Sequence, residues 1–241
     1  MSGRWEFDLV DLARPVSEET SVRLFGDLAT PDYGRVEVDY LADWTTANGT
    51  VARFSIFDHL GTHMDAPIHT NEDGVTLEGV DITRLIGEAV VVDLYKGDVD
   101  YGYTVEDLET ATPTIEQGDI VLIYSGYKDV EKPTDRIKQT YLTVEAAQWL
   151  VDRGVKSVGC EPAGIEHLPD GYFVHRWYAK DTPDPPSWPA HRILLGSHVY
   201  IMEGLTNLER LRGQRVRFAA LPLLFPGLTG CPVRAVAWLD R

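Results

Sequence analysis

The segment His59-Leu-Gly-Thr-His63-Met-Asp65-Ala-Pro-Ile-His69 holds three of the chain's seven histidines, and Asp58 stands immediately before it. Imidazole and carboxylate are the ordinary ligands of zinc, manganese and iron(II), so His59, His63 and Asp65 form a candidate ligand set. On a helix, His59 and His63 would share a face, but Asp65 would fall off it, and Gly61 and Pro67 both oppose a helix. The expectation is a strand that ends near Asp58 and runs into a Gly-Thr turn, folding the three side chains about one point, with Gly61 permitting the sharp path. Pro67 stiffens the exit and leaves His69 near the metal without being required as a ligand, which is the place of a general acid/base. A structural metal site is usually closed by four protein ligands, whereas a hydrolytic one keeps a position open for water, so the additional histidine points to catalysis. The bland alternative, histidines satisfied by backbone hydrogen bonds, suits a lone histidine better than this density of ligand types.

A second contribution is readable further along, in the stretch that carries His191 and Glu203. Period-two alternation over 199–203 puts Glu203 on the apolar face with Val199 and Ile201. A carboxylate turned inward needs a cation, a proton or hydrogen-bond donors. A metal is one solution; a salt bridge to an arginine, or a strand that twists Glu203 to the surface, are others, and spacing does not separate them. His191 taken alone is equally open. Cys160 and Cys231 are far apart and form no C-x-x-C pair, so they read as buried thiols and not as a zinc-finger or redox site.

These residues need elements to position them. Runs rich in Val, Ile and aromatics predict strands over 35–40, 50–57, 89–95, 119–124, 155–160, 199–203, 215–221 and 233–239. A helix follows Thr143 as cap and ends at Gly154, with Val144, Ala147, Leu150 and Val151 as its apolar stripe, and leads into a buried strand. A second helix start is marked by Thr104. From Glu166 to Pro189 periodicity disappears, and Tyr172, Phe173, Trp177, Tyr178 and Trp188 lie among five prolines, as in a long loop that walls a pocket or meets another subunit. The expected class is α/β, a mixed strand-rich sheet with flanking helices, in a single domain over 1–241. With 44% apolar and 25% charged residues the composition is that of a globular protein, and a net charge of −16 argues against nucleic acid and favours a small neutral or zwitterionic ligand. No run resembles a signal peptide or a membrane span, so a cytoplasmic protein without membrane association is expected.

The motif His-x-Gly-Thr-His-x-Asp-x-Pro-x-His, filled here at every fixed position, resembles that of the cyclase-like metal hydrolases, which include bacterial kynurenine formamidases and isatin hydrolases. The resemblance extends through the segments 8–16, 118–123, 142–150, 191–195, 203–208 and 230–237. It implies a swivelling β/β/α fold, a homodimer or homotetramer, and one or two zinc or manganese ions. It implies further that His59, His63 and Asp65 bind metal, that His191 and Glu203 complete the site with Asp65 bridging two ions, and that His69 is the acid/base. The segment Gly159-Cys-Glu-Pro-Ala-Gly departs from the family's commoner Gly-Ile-Asp-Thr-Pro-Ser, which puts any substrate contact there in question. The loop at 166–189 also looks longer than in compact formamidases.

The activity so implied is hydrolysis of a carbon–nitrogen bond other than a peptide bond, in a small aromatic amide: an aryl formamide such as N-formylkynurenine, or a cyclic amide such as isatin. Metal-activated water attacks and His69 carries the proton. A lactone makes the same demands on the site. A non-catalytic metal-dependent binding protein and an iron(II) oxygenase with a two-histidine, one-carboxylate triad are the readings from other classes.

Overall fold

The computed structural model of the chain describes residues 7–17, 19–20, 35–97, 100–127, 139–167 and 188–240. Its strands are β1 (Phe7–Asp11), β2 (Glu37–Ala42), β3 (Val51–Ser55), β4 (His63–Asp65), β5 (Ile86–Asp93), β6 (Tyr101–Tyr103), β7 (Ile120–Tyr124), β8 (Thr140–Leu142), β9 (Ser157–Cys160), β10 (Tyr200–Glu203), β11 (Gln214–Ala219), β12 (Gly230–Pro232) and β13 (Val236–Asp240). Nine of them form one mixed sheet in the order β1-β13-β11-β5-β7-β9-β10-β4-β12. Its centre, β5 to β10, is parallel, and the pairings on either side are antiparallel.

Both faces of the centre are covered, which is why its strands are nearly continuous in apolar residues. Ala89, Val91, Ile120, Leu122, Tyr200 and Met202 enter one apolar cluster, while Val90, Val92, Val121, Ile123, Val158 and Ile201 enter the other. The second cluster is roofed by the helices Val144–Arg153 and Pro189–Gly196, which also pack on each other. The first of these has the expected Thr143 cap, its hydroxyl accepting from Ala146 N, and ends at Gly154 in the left-handed region (φ 75°). Its buried stripe is Ala146, Ala147 and Leu150; Val144, expected to face inward, is exposed instead. A short helix, Val105–Glu109, follows Thr104.

All eight expected strands form, with shifted ends. The helix Pro189–Gly196 was not anticipated, because no local capping residue announces it: Trp188 stands at its N-terminus with φ 46° and makes no side-chain cap. Of the loop expected over 166–189, residues 168–187, with Tyr172, Phe173, Trp177 and Tyr178, lie outside the described residues. The hairpin β2–β3 stands apart from the large sheet and exposes Val38, Tyr40, Val51 and Phe54. Among the described residues no helix is long and apolar enough to cross a membrane.

Candidate metal centre

Strand β4 sets the centre. Its side chains alternate, so His63 and Asp65 point to one face while Met64 points into the opposite apolar cluster. The sequence reading expected a turn through Asp65; the structure has a strand at 63–65, because β10 and β12 pair with it on both sides. In β10, Glu203 lies opposite His63 and Ile201 opposite Asp65, and residues opposite one another in an antiparallel pair share a face. Glu203 therefore joins His63 and Asp65, and the helix Pro189–Gly196 lowers His191 onto the same face.

The approach from β3 ends at Gly61 (φ 67°), in the left-handed region that suits glycine. It returns His59 across Gly230, the residue opposite Asp65 in β12. A Cβ at position 230 would lie 2.6 Å from His59 Cε1 and 2.8 Å from the Met64 carbonyl oxygen, so only glycine leaves room for the ring. After Asp65, the 3-10 turn Pro67–His69 places the His69 ring 4.0 Å from that of His59 and 6.0 Å from that of His191, centroid to centroid. All six candidate side chains thus meet in one cluster.

The rings of His59, His63 and His191 each hold a partner outside the cluster with one nitrogen and turn the other inward. His63 Nδ1 is 3.0 Å from the Gly61 carbonyl, and its Nε2 lies 3.5 Å from both Asp65 Oδ1 and Glu203 Oε2. His191 Nδ1 is 3.0 Å from Glu166 Oε2, and its Nε2 lies 3.2 Å from Glu203 Oε1 and 3.7 Å from Asp65 Oδ2. His59 Nε2 is 2.9 Å from the Thr229 hydroxyl, and its Nδ1 lies 2.8 Å from Asp65 Oδ1. That last approach is close but misdirected, for neither buried oxygen of Asp65 receives a properly aligned hydrogen bond.

Electrostatics follow from burial among charges of both signs. Burial opposes ionisation of Asp65, yet the charge and proximity of His59, with His69 and His63, hold its carboxyl far below the usual range. Burial likewise opposes charging of His191, but its hydrogen bonds to Glu166 and Glu203 prevail and push its pKa up to about 10. His59 is raised for the same reason, by Asp65 above all. His69 goes the other way: burial and the neighbouring charge of His59 push it down to about 3, so it is uncharged at neutral pH. The Cys160 thiol is driven well up by burial and nearby carboxylates, and stays neutral.

This arrangement fits a divalent cation. An ionised, fully buried Asp65 with unsatisfied oxygens is costly by itself, and the inward nitrogens of three rings surround it. Two overlapping groups share Asp65, one with His59 and His69 and one with His63 and Glu203, each with ligand atoms within 4.8 Å of one another. His69, expected as the acid/base, sits with His59 in the first group, and His63 sits with Glu203 in the second.

Several residues of the site escaped sequence reasoning. Glu166 is buried, accepts from Ala190 N and His191 N, and so caps the helix from a distance while holding the His191 ring. Thr229 and Gly230 support His59 from β12 and the residue before it. No local spacing links any of these to the motif. Glu161, in the segment that departs from the family pattern, is a structural pin: one carboxylate oxygen accepts from Ser125 N and Oγ, Gly126 N and Tyr127 N.

Imidazoles and carboxylates around a shared aspartate, on the face of a mixed α/β sheet, define a divalent-metal enzyme centre. The chain belongs to the cyclase family, whose description is putative cyclase and whose profile matches residues 10–167. Among its relatives is a kynurenine formamidase of Erythrobacter litoralis (strain HTCC2594), 29% identical over 197 residues and covering 79% of each chain. The fold is similar to that of isatin hydrolase A from Labrenzia aggregata bound to benzyl benzoate, with TM-score 0.79, 24% identity, and coverage of 98% of this chain and 94% of that one. It is also similar to a protein from Bacillus stearothermophilus described as a predicted metal-dependent hydrolase, with TM-score 0.74, 25% identity, and coverage of 98% and 100%.

Proposed function

We propose that this protein is a metal-dependent hydrolase of carbon–nitrogen bonds other than peptide bonds, acting on a small amide beside an aromatic ring. The observation that carries the reading is the convergence of three inward imidazole nitrogens on a buried aspartate that lacks aligned donors. Kinship to kynurenine formamidases and the fold of isatin hydrolases support an open aryl formamide or a cyclic amide as substrate. His59, His63, Asp65, His191 and Glu203 would hold zinc or manganese. A bound cation supplies acidity to water and polarises the substrate carbonyl.

The chain's own residues do the rest. Glu203 is fixed by Ile165 N, which donates to its Oε1 at 2.8 Å, and Glu166 holds the His191 ring from behind. His69, kept uncharged by its surroundings, accepts a proton as water attacks. Burial disfavours the charged ring, so the proton is readily passed on to the leaving nitrogen. Trp188, whose ring is 5.5 Å from that of His191, supplies an aromatic wall for the substrate. Assembly as a homodimer or homotetramer agrees with the apolar side chains exposed on the β2–β3 hairpin.

The protein loaded with zinc or manganese should hydrolyse N-formylkynurenine or isatin; turnover of simple lactones alone would reassign the leaving group to oxygen. Replacing His69 with Ala should lower turnover by roughly a hundredfold or more while metal content stays intact. Metal lost together with activity would instead make His69 a ligand, as its grouping with His59 and Asp65 permits.

A further inference from the structure

Asp58 and Thr229 touch neither the inward nitrogens nor the carboxylates of the cluster, and the proposed reaction gives them no task. Their geometry gives them one. Thr229 Oγ1 donates to Asp58 Oδ2 at 2.7 Å, and Thr229 N donates to the same oxygen at 3.2 Å. A threonine hydroxyl has a single proton. With that proton committed to Asp58, the Thr229 oxygen 2.9 Å from His59 Nε2 can only accept, so Nε2 carries the N–H. A neutral imidazole has one N–H, which leaves Nδ1 with its lone pair. Nδ1 is the atom 2.8 Å from Asp65 Oδ1, a contact between two electron-rich atoms that only a proton or a cation relieves.

We propose that Asp58 and Thr229 form a relay of positioning residues that fixes both the orientation and the tautomer of His59, presenting Nδ1 to the cation. The proposal rests on His59 being a ligand. His63 and His191 are set in the opposite sense, each committing Nδ1 outward and presenting Nε2. His59 is the only one of these three held by a side-chain hydroxyl, whose donor or acceptor role depends on what stands behind it. Asp58 is what makes that hydroxyl an acceptor.

The test is competition for zinc between the protein and a chromophoric chelator, with the cation-free unfolding midpoint measured alongside as a folding check. Thr229→Val removes the acceptor at nearly constant shape and should weaken zinc binding about tenfold to a hundredfold, and Thr229→Ser should restore it. Asp58→Ala frees the hydroxyl proton to be donated to Nε2, which turns an N–H toward the cation, and should weaken zinc as well. His59→Ala separates the two ways of failing. If it loses zinc while Thr229→Val and Asp58→Ala bind as the parent does, the relay is overturned and the ligand set stands. If His59→Ala also binds zinc unchanged, His59 is not a ligand and the relay falls with it.

Discussion

In the proposed site, protons and a divalent cation compete for the inward nitrogens of His59 and His191, and the competition fixes how affinity varies with pH. In the cation-free protein the two carboxylates that flank His191 lift its pKa from 6.5 to about 10, and His59 is raised too. At neutral pH the His191 ring holds an extra proton that binding must expel, so apparent affinity should rise about tenfold per pH unit for each proton released. Between about pH 6 and about pH 8 that is on the order of a hundredfold for His191 alone, and more if His59 releases one as well. The stability of the cation-free form runs in the other direction. A raised folded-state pKa gives stabilisation that is complete below the ordinary value of 6.5 and is lost as pH climbs through about 10. Chelator competition across the first range and urea unfolding of chelator-treated protein across the second measure both trends. Zinc affinity that is flat with pH would refute the picture of a protonated His191 paired with Glu166 and Glu203.

Two substitutions probe the supports of the cluster. Gly230→Ala puts a methyl 2.8 Å from the Met64 carbonyl, on a strand that β10 and β12 pin from both sides, so the His59 ring must yield; we expect about 1–3 kcal/mol lost in unfolding experiments and weakened zinc binding, and unchanged values for both would mean the strand relaxes freely. Glu166→Ala removes the acceptor for Ala190 N, His191 N and His191 Nδ1 together, and should lower stability by about 0.5–2 kcal/mol through the lost cap while reducing zinc affinity about tenfold to a hundredfold. A fall in stability with zinc affinity untouched would confine Glu166 to capping the helix.

The sequence was most legible where a physical signal is local. The runs that became β5, β7, β9 and β10 announce themselves because burial on both faces demands uninterrupted apolar residues. The inward turn of Glu203 followed from simple alternation with Ile201. The eleven-residue motif named its donors by type and density. What stayed hidden depends on pairing at a distance. His63–Asp65 is too short and too polar to look like a strand, and becomes one through β10 and β12, which lie far along the chain. The helix that carries His191 has its cap in Glu166, on the other side of a long excursion, so no window on the sequence contains both. The role of Gly230 depends on a ring that arrives from residue 59.

The same pairing explains why the metal centre and the fold cannot be tuned separately at β4. Met64 and Met202 lie opposite one another and are fully buried, each contributing about 1.5–3 kcal/mol by leaving water. A slip of β4 by one residue would turn Met64 out of its cluster and carry His63 and Asp65 to the wrong face. Burial of the methionines therefore holds the register that brings Glu203 beside His63, and the register in turn confines two carboxylates together, one of which, Asp65, has no aligned donor and needs protons or a cation to balance it. Enlarging or polarising residue 64 or 202 should consequently damage metal affinity without touching a ligand, because the apolar side of the strand determines where its ligand side points.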